Sequence, residues 1–225
     1  MIHRIVLLSL LVSAGVLVSG ESYAQLNLSQ FGIGGSNASA NGGTAASSGA
    51  ASQLLQNYVG ANQQVLGGQS SLASAMGLGG AAGQAQQAAG LLNGTPSVSQ
   101  LTQVGSTQQS LSQTLTQAFA DRSAAGSSAP VNTQAFSDGL ASLGKGVSQY
   151  SSLQSGLGSV GQMNPSSLLQ SALNPQTAQT ASYIAQSAPG QLQSLMSTLS
   201  QAVQFASSHG ISVPSVASSA LKDGL

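Results

Sequence analysis

The sequence predicts an all-α fold, an irregular multi-helix bundle of long and short amphipathic helices behind a flexible N-terminal tether. Three observations lead there. Apolar residues recur at steps of three and four over long segments, the period of one helix face. No apolar alternation of period two survives beyond four residues, so no strand is expected. Gly, Pro, Asn and Ser punctuate the periodic segments where helices begin and stop.

At the N-terminus, Met1, Ile2, His3 and Arg4 form a short positive region before the apolar run IVLLSLLVSAGVLVSG. Ser22, Tyr23 and Ala24 follow, with small residues where a signal peptidase reads. Residues 1–24 are therefore expected to be a signal peptide cleaved before Gln25. The apolar run is shorter than the roughly 20 residues of a spanning helix, so no transmembrane span is expected after cleavage. Residues 25–49, rich in Gly, Ser, Ala and Asn, read as the tether, because ordering them costs more backbone entropy than their burial returns. Residues 50–225 are expected to form a single helical domain.

Within it, Leu54, Leu55, Tyr58, Val59, Asn62, Val65 and Leu66 share one helix face, which Gly67 and Gly68 are expected to end. Leu72, Met76 and the alanine-rich residues 81–92 suggest short helices, and Asn93 to Pro96 a turn. The strongest stripe is Leu101, Val104, Gln108, Leu111, Leu115 and Ala118, widened by Phe119, with Ser97 or Ser99 as cap and SAAGSSAP as its end. A second long face carries Phe136, Leu140, Leu143, Val147, Tyr150, Leu153, Leu157 and Val160. Asn164-Pro165 and Asn174-Pro175 each place a capping amide before a proline at the first helical position, and Pro189 is expected to open a further helix. His209-Gly210 reads as its stop. A last short helix near Pro214 is expected to bury Val216, Ala217 and Leu221. Leu111, Leu115, Phe119, Leu143, Val147 and Tyr150 are the expected core.

Glycine within these helices costs roughly 1 kcal/mol per residue relative to Ala. Gly144, Lys145 and Gly146 concentrate that cost at one point, so the second long helix is expected to break there. The other reading of Gly139, Gly144, Gly146, Gly156 and Gly158 is a small-residue face that another helix, of this chain or a second copy, approaches closely. GLGSVG at residues 156–161 matches a dinucleotide fingerprint, yet no strand precedes it and no Asp or Glu lies between it and Asp223. Gly156, Gly158 and Gly161 are read as a helix end. GLGGAAG at residues 77–83 likewise lacks a strand.

Charge is scarce: 4% of the chain, with zero net charge, against about a quarter in ordinary soluble proteins. Beyond residue 24 the charged side chains are Asp121, Arg122, Asp138, Lys145, Lys222 and Asp223. With so few titrating groups, stability is expected to vary little with pH, which would suit an exterior or acidic medium as well as simple compositional drift. Three spread cations cannot neutralise several phosphates, so no nucleic acid partner is expected. There is no Cys, and His209 is the one His after residue 24, so no metal site, disulfide or lipoprotein cysteine is expected. A Ser-His-Asp arrangement through His209 lacks a G-x-S-x-G elbow. Asp121 and Asp138 beside Arg122 or Lys145 read as surface ion pairs. The aromatic residues are scattered singly and read as core. The Ser/Thr sequons at Asn27, Asn37 and Asn93 are expected by chance. No cofactor and no enzyme activity are expected.

Periplasmic or extracellular function classes remain. The first is a structural or assembly protein acting through helix-helix contact or self-association, its partner itself or another exported protein, because near-zero charge removes long-range repulsion and Gln and Ser faces hydrogen-bond between copies. The alternative is a helical binding or chaperone-like module for an apolar small molecule or a partner helix. In outline, with its leader, length, helices and Gln-rich composition, the chain resembles minor pilus subunits of conjugative secretion systems, which implies the accessory-subunit form of that alternative; no motif assigns the likeness to particular residues. The tether between Phe31 and Gly49 is a further place for a partner.

Overall fold

A computed structural model describes residues 43–124, 131–160 and 175–223. The segment expected to be a signal peptide, the expected tether up to residue 42, the segment 125–130 and the Asn164-Pro165 start lie outside the described residues. Among the described residues there are six helices: α1 Gly43–Ala75, α2 Gly79–Gly90, α3 Val98–Ala124, α4 Thr133–Val160, α5 Pro175–Ser208 and α6 Ser215–Asp223. No strand occurs among the described residues, so the architecture is all-α. All six belong to one compact unit, Asn37–Leu225.

The helix ends are set locally. At α3, Ser97 and Gln100 form a capping box: the Ser97 N–H donates to Gln100 Oε1 at 2.8 Å and the Gln100 N–H to Ser97 Oγ at 3.4 Å. At α4 the Ala135 N–H donates to Asn132 Oδ1 at 3.0 Å, a cap that the sequence reading did not single out. α1 ends in a Schellman turn at Gly77, φ +78°, where the Leu78 N–H reaches the Ala73 carbonyl and the Gly77 N–H the Ser74 carbonyl. α5 ends as expected at Gly210, φ +66°, with the Ile211 N–H on the Ala206 carbonyl and the Ile211 side chain buried.

Five helices run up and down. Tyr58 and Gly68 of α1 meet Tyr150 and Leu143 of α4, so these two are antiparallel. Asn62 of α1 and Met76 just past its end meet Gln108 and Arg122 of α3, and Leu101 and Phe119 of α3 meet Tyr183 and Phe205 of α5, so α1, α3 and α5 are parallel. α2 returns beside α1, held by Ser70 Oγ donating to the Ala82 carbonyl at 3.3 Å. α6 crosses α4 at Gly144. The expected core residues Leu111, Leu115, Phe119, Leu143, Val147 and Tyr150 are all buried.

Several expectations are corrected. α1 is helical from Gly43, so its start overlaps the end of the segment read as a tether. It also runs through Gly67 and Gly68 without stopping, taking in Leu72. α4 is unbroken at Gly144 and Gly146. The reason is close approach, the second reading of these glycines, and it operates within the chain. A Cβ on Gly68 would stand 2.6 Å from Leu143 N and 2.9 Å from the Gly139 carbonyl oxygen; one on Gly146 would stand 3.0 Å from Val65 N. On Gly144 it would stand 2.7 Å from Ala217 Cα, against α6.

Pro189 does not open a new helix but lies inside α5. Its missing N–H frees the carbonyl of Ala185, and both residues are exposed, so water can take that carbonyl. In α6 the buried pair is Ala217 and Ala220, while Val216 and Leu221 are only partly covered. Small side chains again let this helix lie close to α4.

Candidate functional site

Tyr58, Phe119, Phe136, Tyr150 and Phe205, scattered singly in the sequence and read as core, are buried, and the fold gathers them into two groups. Near one end of the bundle, Phe119, Phe136 and Phe205 pack with centroids 5.3–5.7 Å apart, and His209 stacks on Phe205 at 4.0 Å. Towards the other end, Tyr58 of α1 and Tyr150 of α4 meet edge to face at 5.6 Å. Both hydroxyls donate to one acceptor, Gln191 Oε1 of α5, at 2.8 and 2.9 Å. The third described tyrosine, Tyr183, donates to the Leu101 carbonyl at 3.1 Å. Room for the Gln191 carboxamide comes from Gly105 of α3, whose Cβ would meet Gln191 Nε2 at 2.6 Å.

An amide ladder lies between α1 and α3. Asn62 Nδ2 donates to the Tyr58 carbonyl at 2.7 Å, and Gln108 Nε2 donates to Asn62 Oδ1 at 2.7 Å. Gln69 Nε2 donates to the Gln108 carbonyl at 3.1 Å and to Ser112 Oγ at 3.0 Å. Asn62, Gln69, Gln108 and Ser112 are all buried. Gln69 Oε1 and Gln108 Oε1 accept no hydrogen bond from the protein, at a cost of about 1–3 kcal/mol each. The ladder ties α1 and α3 in one register. The sequence carried a signal for it, since Asn62 and Gln108 interrupt otherwise apolar stripes.

The chemistry of this interior is neutral. Burial pushes the Tyr58 phenol above its ordinary value of 10.0, opposed by the Ser187 hydroxyl, and burial pushes Tyr150 well above it, with Tyr58 adding to the rise. Neither is a base or nucleophile near neutrality. The folded state therefore holds protons above pH ~10 that the unfolded chain releases, so this contribution is complete below pH ~10 and is lost as pH rises beyond it. Thermal melts should show a midpoint that falls steeply above pH ~10, as the unfolding free energy drops by up to about 1.4 kcal/mol per pH unit for each tyrosine. In a Tyr58→Phe/Tyr150→Phe variant the fall should be much shallower; an equal fall in both proteins would remove the tyrosines as its cause.

The other sequence candidates are placed apart. His209 is exposed at the end of α5, its Nδ1 against the Phe205 carbonyl at 2.9 Å and Ser208 Oγ at 3.0 Å, with no carboxylate among its partners. Asp138 accepts from Gln134 Nε2 at 3.0 Å on its own helix, and Asp121 is exposed. Arg122 departs from the expected surface ion pair: its Nη2 donates to the Met76 carbonyl at 3.2 Å, placing a cation at the negative end of the α1 dipole. Lys145 is exposed on α4. Gly156 and Gly158 lie in the last turns of α4, with no strand before them; Gly161 lies outside the described residues. Among the described residues no three His, Cys, Asp or Glu side chains cluster, and no helix is long and apolar enough to cross a membrane.

A surface groove of about 580 Å³ runs between α2 and α3, lined by Gln84, Gln87, Ala88, Leu91, Gln103, Ser106, Thr107 and Ser110. No family model matches the chain, and neither a curated protein nor a solved structure matches it.

Proposed function

We propose that the protein is an exported, non-enzymatic assembly protein whose copies associate through uncharged helical faces. Export rests on the N-terminal sequence of residues 1–24. The observation that carries association is the outer face of α3. Thr102, Gln109, Gln113 and Gln117 are all exposed there, with no charge between them. A primary amide donates and accepts, so identical faces are complementary to each other. The close-approach glycines Gly68, Gly139, Gly144 and Gly146 are used inside the bundle, and the polar α3 surface is the one we assign to contact between copies. The groove beside it presents polar and apolar surface in equal measure, short of the mostly apolar lining that an apolar ligand favours.

Sedimentation velocity of residues 25–225 should show oligomers that grow with protein concentration. Raising NaCl from about 0.05 to about 0.5 M should shift the midpoint little, because few charges are present to screen. Gln109→Lys/Gln113→Lys, exposed changes that place like charges face to face, should abolish association and leave helicity unchanged. A monomer at every concentration would sink the proposal.

A further inference from the structure

We propose that the groove between α2 and α3 is a binding site for an uncharged saccharide. Its two walls have the same helical register. Gln84, Gln87 and Ala88 on α2 with its C-cap Leu91, and Gln103, Ser106, Thr107 and Ser110 on α3, each sit at i, i+3, i+4 and i+7. Each wall is thus about 10 Å long at a rise of 1.5 Å per residue, and a volume of about 580 Å³ falls in the range of small-molecule sites. The groove stays open because α2 is built mostly from Gly and Ala, with Ala88 buried in its wall.

The lining selects the ligand class. No lining residue is charged, so an anionic or cationic ligand finds no counter-charge. Apolar surface from Ala88, Leu91 and the side-chain stems is balanced by polar surface, short of the mostly apolar lining of a lipid site and suited to a sugar ring with its C–H edge and hydroxyls. Seven of the eight wall residues lie inside helices and Leu91 is the C-cap of α2, its N–H on the Ala88 carbonyl, so the walls offer no strand edge for an extended peptide to pair with. The carboxamides of Gln84, Gln87 and Gln103 make no side-chain hydrogen bond among the described residues, whereas neighbouring Gln86 is engaged by Ser70. Ser106 and Thr107 donate their hydroxyl hydrogens to the Gln103 carbonyl, both at 2.9 Å, which turns their oxygens into acceptors. A sugar hydroxyl both donates and accepts, as this mixture of free amides and hydroxyl oxygens requires. The site stands whether or not copies associate.

The test is side-chain amide NMR of the 25–225 protein titrated with maltohexaose, cellohexaose or the hexamer of N-acetylglucosamine. The Gln84, Gln87 and Gln103 amide signals should shift and saturate with at least one of them, with a Kd on the order of 1 mM because no aromatic ring stacks on the sugar. Gln103→Leu, an exposed change that leaves the fold intact, should weaken binding at least about tenfold; Ala88→Leu, which fills the groove, should do the same. No shift with any of the three up to about 20 mM, an unchanged response in Gln103→Leu, or a shift caused by a Gln-rich hexapeptide and by none of the saccharides would each overturn the proposal.

Discussion

Gly68→Ala should destabilise the protein by about 2–3 kcal/mol, while Gly67→Ala, one residue earlier, should stabilise it by up to about 1 kcal/mol. The two glycines have the same neighbours in sequence and opposite surroundings in space. Gly67 is exposed, and a Cβ there meets nothing within 4 Å. The change therefore removes only the backbone freedom that glycine keeps in the unfolded chain. At Gly68 the new methyl would press on the backbone of α4, at 2.6 Å from Leu143 N and 2.9 Å from Leu143 Cα. Backbone atoms cannot rotate away as a side chain does, so α1 and α4 must separate along their length. Urea unfolding followed by circular dichroism measures both variants. Similar effects at the two sites would mean that α1 and α4 are not in close contact.

Gln191→Leu should cost about 2–4 kcal/mol, because it leaves two buried phenol hydroxyls without an acceptor. Leucine has nearly the shape of glutamine, so little of that loss comes from packing. Adding Tyr58→Phe and Tyr150→Phe in the Gln191→Leu background should recover most of it, since no donor is then left unpaired in the cluster. This non-additivity is the sign of a shared acceptor. If the phenylalanine changes instead add further loss, the hydroxyls do not converge on Gln191.

The helices and many of their ends were legible because the signals are local. The stripe from Leu101 to Phe119 faces the core as its spacing requires, and the Gly210 stop lies where glycine at positive φ was expected. The failures share one origin. Gly67-Gly68, Gly144-Gly146 and Pro189 all carry a local penalty for continuing a helix, and each helix continues. At Gly68, Gly144 and Gly146 the penalty is offset by the approach of a neighbouring helix; at Pro189 it falls on an exposed face where water takes the freed carbonyl.

By itself the sequence determined the all-helical class, the Ser97 cap and the Gly210 stop, the faces that turn inward and the scarcity of charge, since each depends on residues within one or two turns of each other or on composition alone. Which helices pair, and therefore which side chains share a site, was decided only by the tertiary structure. Tyr58 and Gln191 stand 133 residues apart in the chain and 2.8 Å apart in the bundle. The glycines that let α1 lie against α4, and Gly105 that admits the Gln191 carboxamide, have no side chain to mark them in any periodic pattern. Their role lies in the atoms that occupy the space a Cβ would take, and those atoms belong to distant parts of the chain.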